Sequence, residues 1–516
     1  MSFASQSSLA RPELAPGMAA PIRPGELAVV VGAGESGAAA ARLLHALGAR
    51  VRLVDRDCAG VSPALRAEQE ALGTEILCGP HSPEQFAGAS LVVTSPGVPL
   101  AVLEPFLRKA GDGSLIGEAA KPSLLAEAAT PSLLAEAATP PLIAEVELAL
   151  RYVREPILAV TGTSGKTTTV SLAAAMLEAA GKKVFLGGNI GTPLSDYVLR
   201  AAPDTKEGAE NRADVLVLEL SSFQLQGSKH LHPRVAVLLN LSPNHLDHHK
   251  DMAEYSEAKF RIFALQDESD LALLPLLPLL PLSPESPESL MEEYRKRGFK
   301  GRVLTFGPSK RFTRTSLLGK HNAANAEAAY LACREFGVSE SVAAEAVAAF
   351  SPLSHRLESV GEVDGVLYVN DSKSTTVDSM RVALESFVVP VLLLAGGRFK
   401  GGDLLSLHPL LRDKVKAVGL FGAGREIFEP AWQGVVPMTW DPDLPSAFLR
   451  LRAMAEPGDV VLLSPATASF DLYENYKARG DHFRRLVRDL REGKPIAPIA
   501  GGAASAGDAA SAGDAA

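Results

Sequence analysis

Apolar residues recur along the chain in short unbroken runs, and the runs stop at small or polar residues. Strands buried on both faces of a parallel sheet, alternating with helices, give this pattern. The stretch LAVVVGAGESGAAAARLLHALGARVRLVD predicts a strand over 27–31, a glycine turn, a helix over 36–47 and a strand over 50–54. LVVTSP at 91–96 adds a further strand to this βαβ unit. PILAV at 156–160 opens a second set: a glycine-lysine loop, an alanine-rich helix over 166–180, strands at 183–186, 214–219, 235–239 and 302–307, and a helix over 322–334. A third set has strands at 365–371, 389–397, 415–422 and 459–466, with another helix after Ser469. Each of these strands ends in small or polar residues, where open α/β sheets contact ligands.

The reading is an α/β protein of three domains: a Rossmann-like N-terminal domain, a central P-loop-type ATPase with a mostly parallel sheet, and a Rossmann-like C-terminal domain. Its expected boundaries are a variable extension at 1–24, a first domain at 25–117, a central domain at 145–350, a third at 351–495 and a disordered tail at 496–516. Three stretches do not fit a regular core. Residues 118–144 repeat a nine-residue unit three times, EAAKPSLLA, EAATPSLLA and EAATPPLIA, and are expected as an insertion between domains. The Leu-Pro run at 271–289 is expected as a lengthened surface loop, and GGAASAGDAASAGDAA lacks the apolar residues to build a core.

With 516 residues the chain exceeds one hydrophobic core, which agrees with several domains. A net charge of -9 gives no electrostatic reason for a nucleic-acid partner. Three widely separated cysteines, Cys58, Cys78 and Cys333, resemble neither a disulfide framework nor a thiolate metal site, so a reducing cytosol is expected. The longest greasy run, LALLPLLPLLPL, is too short and too broken by proline to span a bilayer, and a soluble protein is expected.

Candidate chemistry starts at TGTSGKTTT, 161–169. Gly162, Thr163, Ser164 and Gly165 follow a buried strand and precede a helix, so their amides can face phosphate oxygens, with Lys166 adding a mobile charge and Thr167 a hydroxyl for magnesium. Val160 stands where the usual phosphate loop has glycine. DVLVLE ends at Glu219, a carboxylate at the carboxyl edge of the sheet and a plausible magnesium bridge. His245, Asp247, His248 and His249 are spaced too loosely to define a zinc site, and one histidine near a metal is the better expectation. Lys259 lies on a predicted helix, where a lysine is ordinarily a surface residue. In the first domain Gly32, Gly34 and Gly37, with Asp55, match a dinucleotide fingerprint, a spacing that also arises wherever a strand turns sharply into a helix.

Taken in order, TGTSGKTTT, GGNIGTP, ELSSFQL, NHLDHH, YSEAK, HNAANAEAA, HRLE, NDSKSTT and LSPATASFDLYENYKARG are similar to strings of the Mur ligase family, ATP-dependent amide-forming enzymes of peptidoglycan precursor synthesis. These strings span most of the chain. The resemblance implies a bacterial cytoplasmic enzyme, expected as a monomer, that uses ATP to add D-glutamate to UDP-N-acetylmuramoyl-L-alanine through an acyl phosphate. Another Mur-type or folate-conjugating ligase is the alternative, and a dinucleotide oxidoreductase would leave the lysine loop without a purpose.

The resemblance also implies residue roles. Gly32, Gly34, Gly37, Asp55, Arg56, Ser95, Pro96, Gly97 and Asn189 would bind the UDP substrate. Gly162 to Thr168 (Gly162, Thr163, Ser164, Gly165, Lys166, Thr167, Thr168) with Asn322, Asn325, Arg356 and Asp371 would bind ATP, and His321 and Lys373 would lie nearby. Thr167, Glu219, His245 and Lys259 would serve two Mg2+ ions, with Mn2+ as a substitute, and Lys259 would carry a carbamate derived from CO2. Thr375, Lys400, Ser469, Phe470 and Tyr476 would form the D-glutamate pocket. Arg398-Phe399 and Tyr476 depart from the residues expected of close relatives.

Overall fold

The computed structural model describes residues 12–56, 61–96, 98–111, 139–202, 206–242, 248–276, 290–315, 317–351, 354–387 and 389–497. They form two compact units: one from the described part of Met1–Thr315 together with Ala323–Phe350, the other from 317–322 and the described residues after 350. Among the described residues, no helix is long and apolar enough to cross a membrane.

The first unit holds two sheets. One is built from β1 (Leu27–Val31), β2 (Arg50–Asp55), β3 (Glu75–Cys78), β4 (Ala89–Thr94) and β5 (Leu142–Ala144) in the order β3-β2-β1-β4-β5. All its pairings are parallel. The other comprises β6 (Ile157–Thr161), β7 (Val184–Gly188), β8 (Val215–Glu219), β9 (Val235–Leu238), β10 (Leu271–Pro275) and β11 (Arg302–Phe306), in the order β11-β10-β9-β6-β8-β7 and again wholly parallel. One apolar core runs through both, from Val30 and Leu43 through Leu148 and Tyr197 to Leu216 and Leu238. At this junction Arg42 donates twice to Asp196, at 3.0 and 3.0 Å, and once to Glu68 at 2.9 Å, the fork geometry in which arginine holds carboxylates best.

The second unit has one sheet, from β12 (Glu358–Val363), β13 (Val366–Asn370), β14 (Val391–Gly396), β15 (Val415–Phe421), β16 (Met438–Asp441) and β17 (Val460–Leu463). Its order is β12-β13-β17-β14-β15-β16, parallel except for the antiparallel edge strand β12. The helix Tyr476–Arg491 turns Phe483, Leu486 and Val487 into the core beside Tyr368 and Phe448.

Two segments set aside as irregular contribute strands. Leu142–Ala144, the last residues of the third nonapeptide, pair with Val92–Thr94 and close the first sheet. Leu271–Pro275, expected in a surface loop, is a fully buried strand between β9 and β11. LALLP has the unbroken apolar character of a two-face-buried strand, and its proline falls at the strand end, where the missing N–H is least costly. The cysteine reading also needs correction, because Cys78 is disulfide-bonded while Cys333 is free and buried. Cys58, 112–138 and 277–289 lie outside the described residues, as does the tail from 498.

Candidate active site

β6 runs into the loop Gly162–Gly165, and the helix Lys166–Ala179 starts directly after it. Gly162 (φ +150°) and Gly165 (φ +82°) take backbone conformations that side chains resist. A Cβ on Gly165 would also lie 2.6 Å from Oδ1 of Asn325, so that buried asparagine packs directly on the loop. Val160 is fully buried in β6 and paired with Val237 and Glu219, so the position that departs from the usual phosphate loop belongs to the sheet core.

The chemistry-bearing side chains converge here because β6 and β8 are neighbours whose carboxyl ends lie together. Thr167 donates its hydroxyl to Oε2 of Glu219 at 2.7 Å, and Nδ2 of Asn189 donates to Oε1 of the same carboxylate at 2.9 Å. Glu219 is buried. Nζ of Lys166 folds back over the loop, donating to the carbonyls of Gly162 at 2.8 Å and Thr163 at 3.0 Å. Lys259, on the helix Met252–Phe260, is only 2% exposed, which sets it apart from a surface lysine. Its Nζ donates to Gly162 O at 2.9 Å and approaches Thr161 Oγ1 at 3.4 Å, and it lies 4.7 Å from the centre of the Tyr255 ring. Burial and the neighbouring Lys166 hold its amine well below the ordinary lysine range, with Glu219 opposing them.

A different part of the loop departs from expectation. The amides of Thr163 and Ser164, read from the sequence as phosphate donors, point to Oδ1 of Asn240 at 3.1 and 2.9 Å. The Asn240 Nδ2 returns a bond to Ser164 O at 3.1 Å. The loop is therefore held by a carboxamide, directly ahead of the helix Lys166–Ala179, whose N-terminus favours negative charge.

In the first sheet, Gly32 (φ +97°) begins a turn so tight that a Cβ on Gly37 would overlap the Gly32 carbonyl. Asp55 accepts from the Ala33 amide at 2.7 Å, and Ser95 Oγ donates to Gly32 O at 3.0 Å, so these residues share one edge with exposed Gly34 and Arg56 and with Pro96. Gly97 and His245 lie outside the described residues.

In the second unit, Asp371 is buried at the end of β13, accepting from Leu357 N at 3.1 Å and Ser464 Oγ at 2.9 Å, and burial pushes its carboxyl up to about 7. Arg356 is flanked by His355 (φ +65°) and Leu357 (φ +42°), two left-handed residues of the kind that cluster at functional sites. Asn322 donates to Leu318 O at 2.7 Å. Thr375, Lys400 and Ser469 sit on three loops after the adjacent strands β13, β14 and β17. Ser469 is buried, Phe470 is exposed, and Lys400 Nζ lies 5.7 Å from the centre of the Phe470 ring. The hydroxyl that Tyr476 carries accepts from Lys373 Nζ at 3.2 Å. Of the departing pair, Arg398 is exposed, while Phe399 turns inward against Phe428.

Residues 160–278 match the Mur ligase middle domain, and residues 26–114 match the Mur ligase MurD-like N-terminal domain. Across 91% of this chain and 95% of its own length, the UDP-N-acetylmuramoylalanine--D-glutamate ligase of Oleidesulfovibrio alaskensis is 58% identical. The chain belongs to the Mur ligase family. An enzyme of the same name from Lawsonia intracellularis is 46% identical over 89% of the chain and 94% of its own length. Among solved structures, the MurF ligase of Thermotoga maritima in complex with ADP aligns at a TM-score of 0.51 with 17% identity, over 92% of this chain and 96% of that one. At that identity the likeness shows the three-domain α/β fold alone.

Sequence reasoning about this Mur ligase missed Asn240 and Arg479. Asn240 stands between the strand Val235–Leu238 and the string NHLDHH, and Arg479 lies inside LSPATASFDLYENYKARG. The available signal was their place just beyond a strand end or one turn into a helix next to candidate residues.

Proposed function

We propose that this Mur ligase couples ATP cleavage to formation of an amide between the carboxylate of UDP-N-acetylmuramoyl-L-alanine and the amine of D-glutamate, in the cytoplasm of a bacterium. The convergence of Lys166, Thr167, Glu219 and Lys259 at one loop carries the chemistry. The names of its long, similar relatives supply the substrates.

A carboxylate oxygen is a poor leaving group, so it must be activated before an amine can displace it. The carboxylate attacks the γ-phosphorus of ATP, and the bond to ADP breaks. The amine of D-glutamate then attacks the carbonyl carbon of the acyl phosphate, and the tetrahedral intermediate expels phosphate as the nitrogen loses a proton. Lys166, swung from the loop carbonyls, neutralises charge on the transferring phosphoryl group, and the helix N-terminus after Gly165 supplies oriented amides. The hard oxygens of Thr167 and Glu219 form a donor set suited to magnesium. They would hold the ion, which would screen phosphate charge when bound. His245 is assigned to a second ion. A carbamate on Lys259 would convert a buried amine into an anionic oxygen donor beside them, and the depressed basicity of that amine favours its reaction with CO2.

In the second unit, Arg356 and Asp371 are assigned to nucleotide contacts, and Thr375, Lys400, Ser469, Phe470 and Tyr476 to the D-glutamate pocket. Asn322 and Asn325 are assigned to the adenine side, and Asp55, Arg56, Ser95, Pro96, Asn189 and the GAGESG glycines to the UDP substrate. The deciding experiment supplies UDP-N-acetylmuramoyl-L-alanine and MgATP with a panel of D- and L-amino acids, and measures product mass and phosphate release. D-glutamate should be incorporated with one phosphate released per product. Incorporation of L-amino acids alone would overturn the reading.

A further inference from the structure

Arg479 is fully buried, yet its guanidinium meets no carboxylate by hydrogen bond among the described residues. Nε donates to Ser372 Oγ at 3.0 Å, and Nη2 donates to Ser372 O at 2.8 Å and to Thr467 O at 3.1 Å. Nη1 is buried without a hydrogen-bond partner. It lies toward Gly397: a Cβ on that glycine would come within 3.3 Å of Nη1 and within 2.5 Å of Ala468 O and Thr467 Oγ1. Thr467 Oγ1 in turn donates to Gly396 O at 2.6 Å, and Arg398 and Ala468 exchange two backbone bonds at 2.9 and 3.0 Å.

One guanidinium thus ties the loop after β13 to the loop after β17, and lies beside Gly397 in the loop after β14. These are the loops that carry Thr375, Ser469 and Lys400. A buried cation is costly unless it is compensated, and three neutral acceptors compensate it only in part. Burial lowers its pKa to about 10, against the more distant attraction of Asp471 and Asp371, so it remains charged at neutral pH.

We propose that Arg479 is a positioning residue for the acidic amino-acid substrate, fixing the three pocket loops in register and placing beneath them a positive charge that an anionic side chain completes. The inference rests on the pocket assigned above to Thr375, Lys400 and Ser469. It requires the effect of Arg479 to fall on amino-acid binding and to spare the two nucleotide substrates.

The test measures KM for D-glutamate, ATP and UDP-N-acetylmuramoyl-L-alanine in Arg479→Met, Arg479→Lys, Ser372→Ala and Lys400→Ala, after checking that each variant melts cooperatively. Arg479→Met should raise KM for D-glutamate about tenfold or more, the loss expected for a hydrogen-bonded charge, with the other two KM values changed less than about threefold. Arg479→Lys should recover part of that loss. Ser372→Ala, which keeps the charge and removes the bond from Arg479 Nε together with the bond that Ser372 Oγ donates to Tyr476 O at 2.8 Å, should give a smaller rise of the same kind and keeps the question open to measurement if Arg479→Met does not fold. Equal rises in all three KM values, or a fall in kcat alone, would overturn the proposal. If Lys400→Ala raises KM for D-glutamate and the Arg479 and Ser372 variants do not, Arg479 has no such role; if none of them does, the pocket assignment itself fails.

Discussion

Oδ1 of Asn240 lies 2.9 Å from the backbone amide of Ser164, 76 positions earlier in the chain. The same oxygen accepts from Thr163 N, and a Cβ on Gly162 would press within 3.0 Å of Leu239 Cβ, the residue before Asn240. The end of β9 is therefore the mould on which the lysine loop is set. Asn240→Ala strands the Ser164 amide and leaves Thr163 N only the backbone carbonyl of residue 240, 3.1 Å away, at a cost of about 1–3 kcal/mol. KM for ATP should rise about tenfold, with KM for D-glutamate unchanged. An unaltered KM for ATP would remove Asn240 from this role.

Glu219 holds Thr167 and Asn189 through different oxygens, so Glu219→Gln keeps the shape of the site and removes its charge. The Mg2+ concentration giving half-maximal rate should rise about tenfold or more, because hard cations depend on anionic oxygen. The melting temperature should stay within a few degrees. Titration of Mg2+ at saturating ATP checks this, and a curve that matches the wild type would show that Glu219 does not serve the ion.

The sheets were legible where strands are buried on both faces. VLVLE and VLLLAG cannot be mistaken for anything but apolar runs, and their ends point to the site. The edges were not. β3 reads EILC and β12 reads ESVGEV, half-exposed segments whose pattern is diluted, and β10 was hidden because LALLP continues into a Leu-Pro tract. Candidate residues that carry charge at strand ends, such as Lys166 and Glu219, could be found from their strings. The Asn240 and Arg479 contacts join positions 76 and 107 residues apart, and only the strand order that brings those loops together reveals them.

His321 should make the stability of the second unit depend on pH. Burial lowers its pKa to about 4 from an ordinary 6.5, and its ring meets Ser386 Oγ at a long 3.4 Å. Between those pH values the unfolded chain binds more protons than the folded one, so stability is complete above the ordinary pKa and is lost as pH falls toward the native one. Between pH 7.5 and 5.0 this site should cost on the order of 1–2 kcal/mol, and His321→Gln should remove that part of the slope. Urea unfolding followed at both pH values in the two proteins measures it, and identical slopes would contradict the assignment.

Lys259 sits where a cation is poorly tolerated: buried, beside Lys166, and bonded to a loop carbonyl through Nζ. The neutral amine favoured there can attack CO2, forming an N–C bond and releasing a proton, and the resulting carbamate would answer the positive charge of Lys166. Lys259→Ala should then lower kcat about 100-fold or more, the scale seen when an electrostatic group is lost from an active site. A short carboxylic acid added in solution should restore part of the rate, whereas a similarly sized amine should not. Wild-type activity should fall in CO2-depleted buffer and return with bicarbonate. Full activity of Lys259→Ala in CO2-depleted buffer would exclude the carbamate, and rescue by the amine would assign Lys259 a cationic role instead.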